Sequence, residues 1–327
     1  MDTTYTQTEP NRKVRDQRTS PNRTQHDDQI PDWFPEGNGR DYNRALYGLI
    51  AEVAEGHLNE EKWMKRAGRV AACGLLRRVK MSLGDWEPRP VFCHNTRLCP
   101  VCRKFYALQI APLLAAHSIL LRDERPDLGF AFVTLTLREV SNEDLLTTDS
   151  MIFRLLGALL SNPESEWHKV LGLRCDKHYD VTHSGRWWPH AHATVTYSLD
   201  DPLDWKRAFG EWTAAVESAT GARAQRLVLK QHFRDLTACA THRARRDRVS
   251  SDDALAIEIA NVVYYAANGT GMEPVDRWFA FAFTGNHSTC RGNMRGARTE
   301  ERAEFATDLI ERAVFPKRFV PPRLSRL

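Results

Sequence analysis

The chain has 327 residues, 42% of them hydrophobic, and a formal net charge of +4. This length is enough for one large core, or for one core plus a smaller module, and so small a positive charge does not by itself call for a nucleic-acid partner. No apolar run reaches the ~18 residues of a membrane span. Seven cysteines, an odd number, with no apolar signal-peptide core argue against a secreted disulfide framework, and the expected location is cytoplasmic.

Met1 to Arg40 is polar and charged and reads as a disordered arm. Asp41 to Val79 is rich in Ala, Leu, Glu, Lys and Arg, lacks proline, and predicts helix. Pro88, Pro90 and Pro100 make Trp86 to Pro100 irregular. There the chain carries Cys93 and, after five intervening residues, Cys99-Pro-Val-Cys102, with Cys73 upstream. A Cys-x-x-Cys step lets two thiolates reach one tetrahedral ion, and the four cysteines together make a closed, structural Zn²⁺ site. His94 is the alternative to Cys73 as fourth ligand. Arg103 to Leu121 predicts a helix despite Pro112.

Phe130 to Leu137 predicts a strand, with Phe132, Thr134 and Thr136 on one face. Leu145 to Leu160 predicts a helix ended by Asn162-Pro163. Leu171 to Tyr197 then reads as a hairpin. Its second strand holds His190-Ala191-His192, and alternation puts both imidazoles on one face. If the hairpin folds about Gly185, Asp180 lies opposite His190, and directly opposed residues share a face. Asp180, His190 and His192 then form a nitrogen-and-oxygen ligand set suited to Mn²⁺ or Mg²⁺. His178 falls on the same face and ranks behind Asp180. Everything here depends on register.

Trp205 to Ser218 predicts an amphipathic helix closed by Thr220-Gly221, and Arg226 to Lys230 a further strand. Arg243, Arg245, Arg246 and Arg248 follow in a loop-like stretch suited to phosphate contacts. Ser250 to Asp253 caps a helix from about Ala254 to Ala267. That helix carries Glu258, Asn261, Tyr264 and Tyr265. Glu258 and Tyr265 lie within about 20° on one face, and Tyr264 points about 100° away from Tyr265. The tail is basic, with Lys317, Arg318, Arg323 and Arg326.

Taken in order, five segments resemble the motifs of one family. Phe132-Val133-Thr134-Leu135-Thr136-Leu137 is similar to its first motif, and His190-Ala191-His192 with Ala193-Thr194-Val195 to its metal-binding His-hydrophobe-His motif. Tyr265-Ala266 near a helix end is similar to its nucleophile motif. Cys73-Gly74, Cys93 and Arg97 to Cys102 resemble its cysteine pattern, and Asp180-Val181-Thr182-His183 an acidic segment upstream of the histidines. The family is the replication initiators of small rolling-circle plasmids, within the HUH endonuclease superfamily, and the resemblance covers roughly Cys73 to Thr270. Three positions depart from it. Asn268 and Tyr264 stand where lysines are usual, and Asn261 stands where many members carry a glutamate, leaving Glu258 one turn back as a substitute.

The resemblance implies an α+β fold: an HUH-endonuclease-like antiparallel sheet with helices on one face, preceded by a helical zinc-binding region. It implies an arm at 1–40, a cysteine-rich zinc-binding region at 41–121, a catalytic nickase domain at 122–290 and a basic tail at 291–327. Function would be nicking of single-stranded or hairpin origin DNA, leaving a 5′-phosphotyrosine and a 3′-OH that primes replication, with a host helicase as a further partner and no membrane. Tyr265 is chosen as nucleophile over Tyr264, with Glu258 in support and Mg²⁺ or Mn²⁺ at His190, His192 and Asp180. Thr134 and Thr136 would support the site from a neighbouring strand, and Trp187 and Trp188 would offer faces for base stacking. The alternatives are an HUH-type transposase or relaxase, and a zinc-stabilised DNA-binding regulator without catalysis.

Overall fold

The computed structural model describes residues 38–56, 59–73, 76–80, 86–182, 184–221, 233–268, 288–295 and 300–311. Residues 1–37 of the expected N-terminal arm, the strand at Arg226 to Lys230 and Lys317, Arg318, Arg323 and Arg326 of the tail lie outside them; Asn38 to Arg40, expected in the arm, are helical. The described residues belong to one unit, Pro35–Leu327. Two helices open it, α1 (Asn38–Ala54) and α2 (Glu60–Ala71). Two short antiparallel strands follow, β1 (Leu76–Lys80) and β2 (Trp86–Pro90). The helix expected to run to Val79 therefore stops at Ala71, and the proline-broken stretch after Trp86 begins as a strand. Prolines can sit on such a two-stranded ribbon because each strand has an unpaired edge.

Helix α3 (Pro100–Glu124) is capped by Cys99, whose side chain accepts from the Cys102 amide. By length and composition α3 could cross a bilayer, but it is the core helix of this fold, buried along most of its length. The main sheet contains β3 (Leu128–Thr136), β4 (Gly172–Val181), β5 (Trp187–Ser198), β6 (Phe233–Asp235) and β7 (Ser288–Gly292). Its order is β6-β3-β5-β4-β7, every pair antiparallel, with β5 at the centre. The remaining helices are α4 (Asn142–Ser161), α5 (Trp205–Thr220), α6 (Leu236–Asp247), α7 (Ser251–Asn268) and α8 (Glu300–Glu311). The arginine-rich stretch is thus helix α6, not a loop. It starts at Asp235, whose side chain accepts from the Ala238 amide, and ends at left-handed Arg248.

The fold is α+β, but helices cover both faces of the sheet rather than one. Leu173, Cys175, Val133, Leu135, Ala191, Ala193 and Val195 pack against α4 and α5. On that side the Trp212 indole N–H donates to the Thr136 carbonyl, 3.0 Å away. Phe130 and Phe132 face α3 and α7 on the other side. Both faces of β3 and β5 are buried, so each needs a cover. The α3/α7 face differs in chemistry, because the central strands also place Thr134, Thr136, Arg174, Asp176, His178, His190, His192 and Thr194 there, all buried.

Candidate metal centres beside a tyrosine

The hairpin register decides which residues meet. His178 pairs with His190, Asp176 with His192, and Asp180 with Trp188. Asp180 is therefore displaced by two residues from its expected place opposite His190. The cause is the turn. The Thr182 amide donates to the Arg186 carbonyl, so a three-residue loop closes the hairpin, with Gly185 left-handed (φ 73°) at its end. The centre of the pairing falls on Ser184, not Gly185. A shift of two residues conserves the face, so Asp180 stays on the histidine side.

Three imidazoles close the cluster. His178, His190 and His192 are buried, and one ring nitrogen from each lies within 4.8 Å of the others. The second nitrogen of each ring is fixed by a neighbour. His178 Nε2 meets the Ala266 carbonyl at 2.5 Å, His190 Nδ1 the Trp188 carbonyl at 3.1 Å, and His192 Nδ1 the Thr134 hydroxyl at 2.9 Å. Such partners orient imidazoles that ligate metals, and Thr134 supports the site from β3 as expected. The remaining nitrogen of His178, Nδ1, has no hydrogen-bond partner although buried. Burial, followed by the His192, Arg103 and His190 charges, pushes His178 well below the ordinary imidazole range; burial also lowers His190. Neutral rings are the form a metal binds. The residues fit a bound cation, with His178 rather than Asp180 as the third ligand. Asp180 Oδ2 stands 3.9 Å from His190 Nε2, at the rim.

Tyr265 lies over this cluster. Its ring centroid is 4.9 Å from that of His192 and 6.0 Å from that of His178, and the residue is 49% exposed. Burial of its inner part and then the Asp180 charge raise its pKa. Tyr264, about 100° round α7, is packed against the α3/α7 core. Glu258 does not serve the tyrosine. It is buried, with one carboxylate oxygen paired to Arg234 Nη2 and the other 2.6 Å from Arg243 Nε.

The basic and aromatic candidates divide. Arg243 is bound to Glu258 and Asp247, and Arg246 to Asp247. Arg245 and Arg248 are exposed. Trp187, at an odd position of β5, points away from the histidines. It is buried in the cysteine-side core, its indole N–H donating to Asn142 Oδ1 at 2.6 Å, and offers no stacking face. Trp188 shares the histidine face, its ring 5.2 Å from that of His190.

Cys73, Cys93, Cys99 and Cys102 converge in a second buried cluster, their sulfurs within 4.8 Å of one another. Cys73 Sγ is 3.4 Å and Cys93 Sγ 3.5 Å from Cys102 Sγ. Four sulfurs around a tetrahedral Zn²⁺ at about 2.3 Å would stand about 3.8 Å apart. Three donors surround the sulfurs in the way thiolates require. Asn43 Nδ2 and the Cys102 amide donate to Cys99 Sγ, and the Asn95 amide to Cys93 Sγ. The cluster can hold zinc, with Cys73 as fourth ligand in place of the alternative His94.

Two further groups escaped the sequence reading. Arg103 is buried, its Nε donating to the Ala267 carbonyl at 3.0 Å. Behind β4, Lys177 Nζ lies 2.9 Å from Asp149 Oδ1, which also accepts from the Tyr179 hydroxyl. The alternation of β4 contained half the signal, since a lysine at an inward position needs a buried anion. The chain matches no family model, no curated protein and no solved structure.

Proposed function

We propose that this chain nicks and rejoins single-stranded DNA through Tyr265, as a replication initiator of the rolling-circle type. The observation that carries the reading is a half-exposed tyrosine set 4.9 Å from His192 in a buried cluster of three histidines. The tyrosine is open to a strand, while the histidines are closed to competing solvent. A divalent cation bound there would polarise the scissile phosphate and hold it in line. Three imidazoles favour Mn²⁺ over Mg²⁺, which prefers oxygen ligands.

The chain's own residues supply the rest. Ala266, Trp188 and Thr134 fix which nitrogen each histidine turns inward. The Tyr265 oxygen attacks phosphorus, forming a phosphotyrosine at the 5′ side as the bond to the 3′ oxygen breaks. Its raised pKa means that the proton must be drawn off as attack proceeds. The covalent bond conserves the phosphodiester's energy, so the released 3′-OH can reverse the step without ATP. Exposed Arg245 and Arg248, with Trp188, are the groups left to hold a strand.

The test is incubation with hairpin and linear single-stranded oligonucleotides in Mn²⁺. A covalent adduct mapped by mass to the Tyr265 peptide, absent in Tyr265→Phe, supports the reading. DNA binding without cleavage under every cation tried would replace it with a non-catalytic, zinc-stabilised regulator.

A further inference from the structure

The last turn of the tyrosine helix is tied to both metal clusters at once. Helix α7 ends at Asn268, so the carbonyls of its last four residues lack helical partners. Two of them are taken by buried side chains. Ala266, next to Tyr265, accepts from His178 at 2.5 Å, and Ala267 accepts from Arg103 Nε at 3.0 Å. Arg103 directly follows Cys102, and its own amide donates to the Cys99 carbonyl at 3.0 Å. Cys99 caps α3, and Cys102 lies in its first turn. A continuous path therefore runs from the four sulfurs through one backbone step and one guanidinium to the tyrosine's helix end. A cation at a helix C-terminus also meets the negative end of the macrodipole, and 6% exposure of Arg103 keeps that attraction from being screened.

We infer that Arg103 is a positioning residue, through which the four-cysteine centre fixes the last turn of α7 and so aims Tyr265 at the histidine cluster. The inference rests on the nicking reading for its consequence in rate, but not for its structural content. The Arg103 guanidinium is bonded to the backbone two residues beyond Tyr265, at the Ala267 carbonyl. It acts by deciding where the helix end sits, and a displacement of about 1 Å at a reacting atom costs about 100-fold in rate.

Arg103→Met keeps length and burial while removing donor and charge, and Arg103→Lys restores the charge. In Arg103→Met the single-turnover rate of adduct formation should fall about 10- to 100-fold, with oligonucleotide affinity and zinc content unchanged. Arg103→Lys should recover part of the rate. Hydrogen exchange gives a readout independent of activity: amides 264–268 should exchange faster in Arg103→Met, while the first turns of α7 keep wild-type protection. If Arg103→Met does not fold, Arg103→Lys alone carries the test through a rate between wild type and background. Wild-type rate and wild-type exchange in Arg103→Met overturn the inference. If the wild-type chain forms no adduct, the nicking reading fails while the exchange comparison still decides whether Arg103 holds the helix end.

Discussion

Asp149 is the residue whose removal should cost most away from the histidines. Its carboxylate faces Lys177, the two side chains being 5% and 2% exposed, at 2.9 Å. Tyr179 donates to the same oxygen, and the Phe153 ring lies 4.4 Å from the ammonium. Asp149→Ala removes the counter-ion and the tyrosine's acceptor together. The Asp149 carbonyl, 2.7 Å from Lys177 Nζ, survives, so the lost charge carries the larger cost. Breaking a buried ion pair costs about 3–5 kcal/mol, and taking one acceptor from a buried hydroxyl about 1 kcal/mol or more. We expect Asp149→Ala to lose about 4–6 kcal/mol, which lowers the urea midpoint by about 1–2 M at a slope of about 3 kcal/mol/M.

The double variant Asp149→Ala/Lys177→Met separates charge from packing. Replacing both members of a buried pair is often neutral, so the double variant should regain most of the loss. The effect should also reach the site, because β4 alternates: Lys177 and Tyr179 face α4 while His178 faces the cluster. Mn²⁺ affinity by titration calorimetry should therefore fall in the single variant and recover in the double. A single variant within about 1 kcal/mol of wild type, or a double variant no more stable than the single, would refute the reasoning.

The other expectations are brief. Purified protein should carry zinc, and Cys99→Ser should lose it together with thermal stability, read by metal analysis and calorimetry; a zinc-free, fully stable protein would count against the cysteine site. His178→Ala should weaken Mn²⁺ binding more than Asp180→Ala does, because His178 closes the cluster and Asp180 stands at its rim. His178 and His190 are held below the ordinary value of about 6.5. The unfolded chain then binds more protons than the folded one below that pH, so these two residues lower stability as the pH falls from about 6.5 through their folded values. Urea midpoints at descending pH should decline from there, and His178→Gln should flatten the decline. Tyr264→Phe should keep adduct formation that Tyr265→Phe loses, and the reverse pattern would move the nucleophile.

What the sequence made legible follows the range of the interactions. The two-residue period needs only neighbours, so His190 and His192 were correctly placed together, and Asp180 correctly on their face. Register needs the turn, and Gly185 marked a hairpin without stating how many residues it would close; a three-residue loop moved the pairing by two and brought in His178. The cysteine spacing was strong because a tetrahedral ion leaves few ways to arrange Cys99 and Cys102, and Cys73 was gathered only by the fold. The second helical layer was missed because α4 and α5 each read as ordinary helices, and nothing local says which face of a sheet such a helix will cover.

Glu258 marks the limit of wheel geometry. It and Tyr265 share a direction on α7, yet seven residues separate them by about 10 Å along the axis. A common face is a line, and a site is a place on it. Arg234 on β6 and Arg243 on α6, both brought in by tertiary packing, take both carboxylate oxygens of Glu258 at its own level. A carboxylate paired on both oxygens is committed to those two guanidiniums. Asp180 is placed differently. It is a third exposed, its charge reaches Tyr265, and it stands 3.9 Å from His190. Under the proposed nicking reading, an acid–base partner for Tyr265 is therefore to be sought at Asp180, on strand β4 across from the helix, rather than at Glu258 on α7.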